Sequence, residues 1–293
     1  MPAEPDRPTP PRRVRLPRSL GGRLGSLSPR RRRFVLAATA VVVLLVAALA
    51  GPALVSRLTR SSPHGLPAQD RLGPVLLVPG YGGGTSALDV LAARLRTSGR
   101  TATVVQLPDS GTGDLAVEAS VLDGYVTQAL SGAPSVDVVG YSAGGVVARL
   151  WAERYDGAAK ARRVVTLGSP FAGTSVASAG AAFDPGACPT ACQQLVPGSS
   201  LLTQVAAQAP AAGQPPWLSV WTTQDQTVVP PTSADLPGAS DLPVQSVCPD
   251  EQVSHSQLPT DPAVAGIVLR ALGTGAIGSA GAATCGALRA LGQ

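Results

Sequence analysis

Histidine is scarce in this sequence, and the paired-cysteine motif of metal sites is absent. The 293 residues include two histidines, His64 and His255, and no C-x-x-C. Structural zinc sites need clustered Cys and His ligands at characteristic spacings, so we predict no metal site and no cofactor. Aromatic residues make up 3% of the chain, which argues against an aromatic platform for polysaccharides.

Acidic residues are few at the start of the chain, which is strongly basic. Residues 1–33 contain ten arginines against Glu4 and Asp6, a net charge of +8, whereas the remaining 260 residues carry −3. Because the basic charge is confined to this Pro/Arg-rich segment, we predict no nucleic-acid-binding fold. The composition is typical of disorder, and we assign residues 1–33 to a cytoplasmic tail.

An uncharged run of 22 residues, 34–55, follows directly after four arginines. A helix of this length would be about 33 Å long, enough to cross a hydrocarbon core of about 30 Å. The arginines place the N-terminus inside the cell. We predict a single N-terminal transmembrane helix acting as a signal anchor; the alternative is a signal peptide cleaved near Ala48-Leu49-Ala50. Both interpretations put the following domain outside the cytoplasm, at the cell membrane or secreted.

Cysteine occurs only beyond that run, at Cys188, Cys192, Cys248 and Cys285. An even number of cysteines in an exported chain predicts two disulfides. Four cysteines allow three pairings, and the sequence does not decide among them. We favour Cys188 with Cys192, and Cys248 with Cys285.

Apolar runs alternate with helical patterns across residues 74–272, after a Ser/Pro/Gly-rich linker at 56–73. Strands are predicted at 74–79, 103–105, 136–139, 163–167, 217–221 and 244–247. Helices are predicted at 86–97 and 115–130, after Ser142 and from Pro262, with Asp114 and Asp261 as N-caps. This order predicts an α/β domain with a mostly parallel central sheet and helices on both faces. The Gly/Ala-rich residues 273–293 are assigned to a C-terminal tail.

The pentapeptide Gly140–Gly144 has the form Gly-x-Ser-x-Gly, with Ser142 at its centre. It lies between a predicted strand and a helix that begins at Ala143, which is the context of a nucleophile elbow. Glycine on either side lets the backbone pass a tight turn where a Cβ would clash. The pattern therefore indicates a nucleophilic serine rather than an ordinary glycine-rich turn.

A serine hydroxyl needs a base to take its proton, and His255 is the one histidine in the predicted domain. It follows the last predicted strand, at the sheet edge where the active groups of α/β folds collect. Asp225, after the fifth strand, is the preferred acid, and Asp250 and Glu251 are the alternatives. The order serine, aspartate, histidine matches that of the nucleophile elbow and differs from two protease orders.

A glycine-rich loop, Gly80–Gly84, follows the first predicted strand. Four glycines in five positions let backbone amides approach a ligand closely. An oxyanion hole needs two such N–H groups, and we assign them to Tyr81 and to Ala143, the residue after the nucleophile. A nucleotide-binding loop is the alternative, but this loop has neither the G-x-G-x-x-G spacing nor a P-loop lysine.

Together these segments resemble the α/β-hydrolase superfamily, and within it the exported actinobacterial lipases and esterases. The resemblance covers residues 74–272. The matching residues are Val78–Gly83, Gly140–Gly144, Leu167–Thr174, Asp225 and His255. Pro79 and Tyr141 each replace a histidine that is frequent in the family. Both replacements leave the serine, histidine and aspartate intact.

The resemblance implies a serine carboxylester hydrolase, a lipase or esterase with triacylglycerols among its candidate substrates. An acyltransferase or thioesterase using the same acyl-enzyme is the alternative, and a non-catalytic surface binding domain is a third interpretation. Between Thr174 and Trp217 no strand is predicted. There Leu201, Leu202 and Val205 are expected to pack on the sheet rather than to line an acyl pocket. We expect a monomer whose partners are an acyl ester substrate, lipid or other, and the membrane through the N-terminal helix.

Overall fold

Five of the six predicted strand segments, together with Ser240–Pro243, form one six-stranded sheet in the computed structural model, which describes Arg30 and residues 65–207 and 214–293. The strands are β1 (Val75–Val78), β2 (Ala102–Val104), β3 (Val136–Tyr141), β4 (Ala161–Leu167), β5 (Trp217–Trp221) and β6 (Ser240–Pro243). Their order is β2-β1-β3-β4-β5-β6, and each neighbouring pair is parallel. The prediction of a parallel α/β sheet is confirmed.

The described residues contain ten α-helices. They are α1 (Ser86–Thr97), α2 (Leu115–Leu130), α3 (Ala143–Arg154), α4 (Gly157–Lys160), α5 (Ser175–Phe183), α6 (Thr190–Gln194), α7 (Ser200–Ala207), α8 (Val244–Val247), α9 (Pro262–Ala271) and α10 (Cys285–Leu291). Short 3-10 segments occur at Pro108–Gly111, Pro185–Ala187, Pro231–Ala234, His255–Gln257 and Ile277–Ala282. Asp114 and Asp261 cap α2 and α9 as predicted, because each carboxylate accepts a backbone N–H of the first turn.

Each face of the sheet has its own apolar core, since successive side chains of a strand point to opposite faces. Leu76 and Val78 of β1 pack in one core, together with residues of α2 and α3. Val75 and Leu77 pack in the other, together with residues of α1 and α9. Helices therefore cover both faces, as predicted, which explains why β1 and β5 consist almost entirely of apolar residues.

The sixth strand lies four residues earlier than predicted. The predicted segment, 244–247, is the helical turn α8, and β6 is Ser240–Pro243. That prediction is wrong because Val244 and Val247 are three residues apart, which is the spacing of one helical face, and both pack in the second core. β6 itself carries polar residues at the sheet edge, so its apolar signal is weak.

Residues 273–293, assigned to a tail from their composition, pack against the domain. Leu288 of α10 is 1% exposed, and a Cβ on Gly266 of α9 would collide with its backbone. The small residues thus allow close helix packing here. The two disulfides are Cys188–Cys192 and Cys248–Cys285, the favoured pairing. The second of them joins α10 to the segment after α8.

The predicted cytoplasmic tail (1–33) and transmembrane run (34–55) lie outside the described residues, apart from Arg30. In the part of the chain that the structure describes, no helix combines the length and the hydropathy that crossing a membrane requires. Residues 65–73, the described part of the predicted linker, contain turns but neither helix nor strand.

One buried carboxylate organises the amino-terminal edge of the sheet. Asp137 of β3 is fully buried, and its Oδ2 accepts hydrogen bonds from both Arg100 and Arg162. Arg162 also donates to the carbonyl of Leu272 at 2.6 Å, and Arg100 donates to the carbonyl of Gly73 at 2.6 Å. The cluster therefore joins the segment before β1 to the segment after α9.

Replacing Asp137 by asparagine tests this cluster. The variant leaves two largely buried guanidinium groups without a counter-ion, so we expect the free energy of unfolding to fall by about 3–5 kcal/mol, measured by urea denaturation of the full chain. Asp70→Asn, at an exposed carboxylate, is the matched control and should change it by less than about 0.5 kcal/mol. Equal values for the two variants would contradict the stabilising role of Asp137.

Candidate active site

Ser142 lies in a strained turn between β3 and α3. Its φ of 53° and ψ of −127° belong to a region that residues with side chains rarely adopt. A Cβ on Gly140 would lie 2.5 Å from the Cα of Gly145, and a Cβ on Gly144 would collide with the carbonyl of Val78. The Gly-x-Ser-x-Gly pattern therefore has a steric cause, since only glycine fits on either side of this turn.

His255 links Ser142 to Asp225 through both of its ring nitrogens. Nε2 lies 3.0 Å from Ser142 Oγ, and Nδ1 lies 2.7 Å from Asp225 Oδ2. His255 and Asp225 are each 6% exposed, so the pair is shielded from water. An ionised carboxylate only accepts hydrogen bonds, so Nδ1 carries the proton donated to Asp225, and Nε2 is left to accept the Ser142 hydroxyl proton.

The backbone fixes the second oxygen of Asp225. Its Oδ1 accepts the N–H groups of Thr227 and Val228, both at 2.8 Å. These two bonds set the rotation of the carboxylate, so that Oδ2 faces the imidazole. The alternative acids are placed elsewhere: Glu251 pairs with Arg289, and Asp250 is exposed. Of the three candidate acids, the structure brings Asp225 to the histidine.

Tyr141 makes a contact with His255 that sequence reasoning missed. Its hydroxyl donates to the His255 carbonyl at 3.2 Å, and the two ring centroids are 5.2 Å apart. Burial raises the pKa of Tyr141 to about 12, and the nearby Asp225 charge adds to the rise. The hydroxyl therefore stays protonated and donates at neutral pH. No local pattern signals this contact, because the two residues are 114 positions apart.

Tyr81 and Ala143, the predicted oxyanion residues, both lie near Ser142. Ala143 is the first residue of the 12-residue α3, so its N–H lies at a helix N-terminus, where the helix dipole favours an anion. Beside Tyr81, a Cβ on Gly80 would lie 2.8 Å from Ser142 Cβ, so this loop approaches the serine closely. Neither N–H donates a backbone hydrogen bond to another described residue. Both predicted oxyanion residues therefore lie beside Ser142.

An apolar cavity of about 250 Å³ opens beside Ser142. It is lined by Tyr81, Ser142, Pro170, Thr174, Val176, Ala177, Gly180, Cys192, Leu195, Thr227 and Val228. The insertion between β4 and β5 thus supplies much of the wall, through α5 and α6. Leu201, Leu202 and Val205 of α7 are buried in the core on that face of the sheet instead, which agrees with the packing role expected for them.

One possible group of metal ligands lies apart from this cavity. Within the described residues, Cys248, Glu251 and Cys285 form the one group of three or more Cys, His, Asp or Glu residues whose ligand atoms all lie within 4.8 Å of one another. The two sulfurs are joined in a disulfide, and Glu251 pairs with Arg289. This group therefore offers no free set of ligands, because metals bind thiolates.

No family model matches the sequence, and no curated protein is significantly similar to it. Solved structures do resemble the fold. A Bacillus licheniformis lipase, BlEst2 in its mature form, aligns with a TM-score of 0.57 and 16% identity over 71% of this chain and 94% of the lipase. A structure from the metagenome-derived lipolytic enzymes LipS and LipT aligns with a TM-score of 0.54 and 16% identity over 72% and 98%. The chain has the α/β-hydrolase fold.

The geometry predicts that Ser142 is unusually reactive. A hydroxyl that is hydrogen-bonded to an imidazole, itself held by a carboxylate, is an activated nucleophile. We expect a fluorophosphonate probe to label the full chain at one residue, and Ser142→Ala to abolish the labelling, as read by intact-protein mass spectrometry. The control is Ser120→Ala, at an exposed serine of α2, which should label at the wild-type rate. Labelling that survives in Ser142→Ala would contradict this assignment.

Proposed function

We propose that this protein is a serine carboxylester hydrolase that works through an acyl-enzyme. The observation that carries the proposal is the hydrogen-bonded chain from Ser142 through His255 to Asp225, at 3.0 and 2.7 Å. The apolar cavity beside Ser142 supports an acyl substrate. The fold shared with a lipase and with lipolytic enzymes is consistent with this chemistry.

In the first half-reaction, Ser142 Oγ attacks the carbonyl carbon of the ester while its proton passes to His255 Nε2. The carbonyl electron pair moves to the oxygen, and the N–H groups of Tyr81 and Ala143 donate to that oxyanion. When the carbonyl re-forms, its bond to the alcohol oxygen breaks and His255 gives its proton to the departing alcohol. Ser142 then carries the acyl group as an ester.

In the second half-reaction, water attacks the acyl-enzyme and gives a proton to His255 Nε2. The carboxylic acid is released when the bond to Ser142 Oγ breaks and His255 returns the proton to that oxygen. Asp225 stays ionised throughout and stabilises the imidazolium. An alcohol or a thiol that replaces water in this step would make the protein an acyltransferase. A thioester that replaces the ester in the first half-reaction, with a thiol as the leaving group, would make it a thioesterase.

We also propose that the domain acts outside the cytoplasm, in the manner of the exported actinobacterial lipases and esterases. Two disulfides are typical of proteins in oxidising compartments. The uncharged run at 34–55 after four arginines supports export, as an anchor or as a cleaved signal. A lipid or another hydrophobic ester outside the cell is the substrate class that fits this location.

Hydrolysis of p-nitrophenyl esters, from acetate to palmitate, tests the proposed activity. We expect turnover by the wild-type chain and a loss of at least about a thousandfold in kcat for Ser142→Ala, because the nucleophile is removed. Residual activity above about a tenth of wild type would contradict the mechanism. A competing alcohol in the same assay separates hydrolysis, which releases free acid, from acyl transfer, which forms a new ester.

Gly180 tests whether the cavity holds the acyl chain. A Cβ added there would lie 3.4 Å from the sulfur of Cys192, and both residues line the cavity. In Gly180→Leu we expect kcat/KM for long-chain esters to fall about tenfold or more relative to acetate, because the side chain fills the space of several methylenes. Gly124→Leu, at an open position of α2, is the control and should keep the wild-type preference. Equal losses for acetate and palmitate would place the acyl chain elsewhere.

A further inference from the structure

Asp225 and His255 approach each other from two separate loops. We define the acid loop as residues 222–228, after β5, and the histidine loop as residues 248–255, after α8. The 2.7 Å contact between the two side chains requires a fixed distance between the loops. A displacement of about 1 Å at a catalytic site can cost a large part of its rate. The contacts that hold the two loops together therefore bear on the rate of the reaction.

Gln245, in α8, hydrogen-bonds both loops with its single amide group. Its Oε1 accepts the backbone N–H of Thr223 at 3.0 Å, and its Nε2 donates to Thr222 Oγ1 at 3.0 Å. These partners belong to the acid loop. The same Nε2 donates to the carbonyl of Glu251, in the histidine loop, at 3.2 Å. Both protons of the amide are thereby used.

These partners fix the orientation of the Gln245 amide. With oxygen and nitrogen exchanged, the amide nitrogen would face the Thr223 N–H, donor against donor, and the oxygen would face the Glu251 carbonyl, acceptor against acceptor. Glutamate would keep the acceptor but lose both donors, and asparagine is shorter by one methylene. Of glutamine, glutamate and asparagine, it is therefore glutamine that has the length, the acceptor and the two donors that the hydrogen bonds to both loops require.

Thr222 extends the connection toward the histidine. It is fully buried, and its hydroxyl donates to the carbonyl of Val253, two residues before His255, at 2.8 Å. Glu251 is also held by α10, since Arg289 Nε donates to its Oε2 at 2.8 Å. Gln245 and Thr222 thus connect the two loops through hydrogen bonds that do not involve the side chains of Asp225 and His255.

We propose that Gln245 is a positioning residue of this site, which keeps the acid loop and the histidine loop in register so that Asp225 Oδ2 meets His255 Nδ1. The inference rests on the proposed function, because its effect is read in reactions of Ser142. Gln245 does not belong to the residues that line the cavity. Its loss should therefore change the rate of the chemical step and leave substrate binding unchanged.

The test uses Gln245→Leu, which keeps the approximate size of the side chain and removes its hydrogen bonds. With p-nitrophenyl butyrate we expect kcat to fall about tenfold or more while KM stays within about twofold of wild type. The rate of fluorophosphonate labelling of Ser142 should fall in parallel. Gln128→Leu, at an exposed glutamine of α2, is the matched control and should leave both rates unchanged. An unfolding midpoint lowered with kcat intact would overturn the proposal.

A double-mutant cycle with Thr222→Val tests whether the two side chains act as one connection. We expect the double variant to lose less in kcat than the product of the two single losses. Losses that multiply would overturn the shared connection. If wild type is labelled but hydrolyses no ester, the proposed function fails, while the labelling rates still decide the role of Gln245. If wild type hydrolyses esters and Gln245→Leu matches it in both assays, only the positioning role is overturned.

Discussion

The parallel pairing of β3 between β1 and β4 is the constraint on which the candidate active site depends. In that register Val78, Gly140 and Thr166 lie side by side, so the glycine loop and the turn that carries Ser142 leave the sheet next to each other. β5 runs in the same direction, which brings Asp225 to the same edge. Parallel strands place all their carboxyl ends at the same edge of the sheet. Residues that are far apart in the sequence therefore meet there.

Polar side chains at the two edges of the sheet lie in different environments. At the amino-terminal edge, Asp137 is enclosed with Arg100 and Arg162, and each arginine also donates to a backbone carbonyl. At the carboxyl-terminal edge, Ser142 is held in a rarely populated backbone region, beside a cavity. Strain of this kind persists only where the surrounding structure enforces it, and here the glycines that flank Ser142 lie directly against the backbone of β1 and α3.

The sequence alone predicts those features in which a local residue pattern has a local physical cause. Buried parallel strands require apolar runs, and the turn at Ser142 requires its glycines, so most of the sheet and the position of this turn could be predicted. The conformation of residues 244–247 could not be predicted in the same way. A four-residue segment with a valine at each end is too short to distinguish a strand from a helical turn, and the neighbouring edge strand is polar. Tyr141 of β3 and Gln245 of α8 hydrogen-bond residues of loops outside their own elements, and such bonds produce no periodic pattern in the sequence.

The packing of α10 has a consequence for the order in which this domain matures. α10 leaves the ribosome after every other described element, yet it supplies Cys285 to Cys248 and Arg289 to Glu251, both in the histidine loop. During synthesis, Ser142, Asp225 and His255 are therefore all present before the loop that carries the histidine gains its covalent anchor. That anchor requires synthesis through Cys285 and oxidation of both thiols, so the loop that carries His255 is covalently linked to α10 only when both conditions are met.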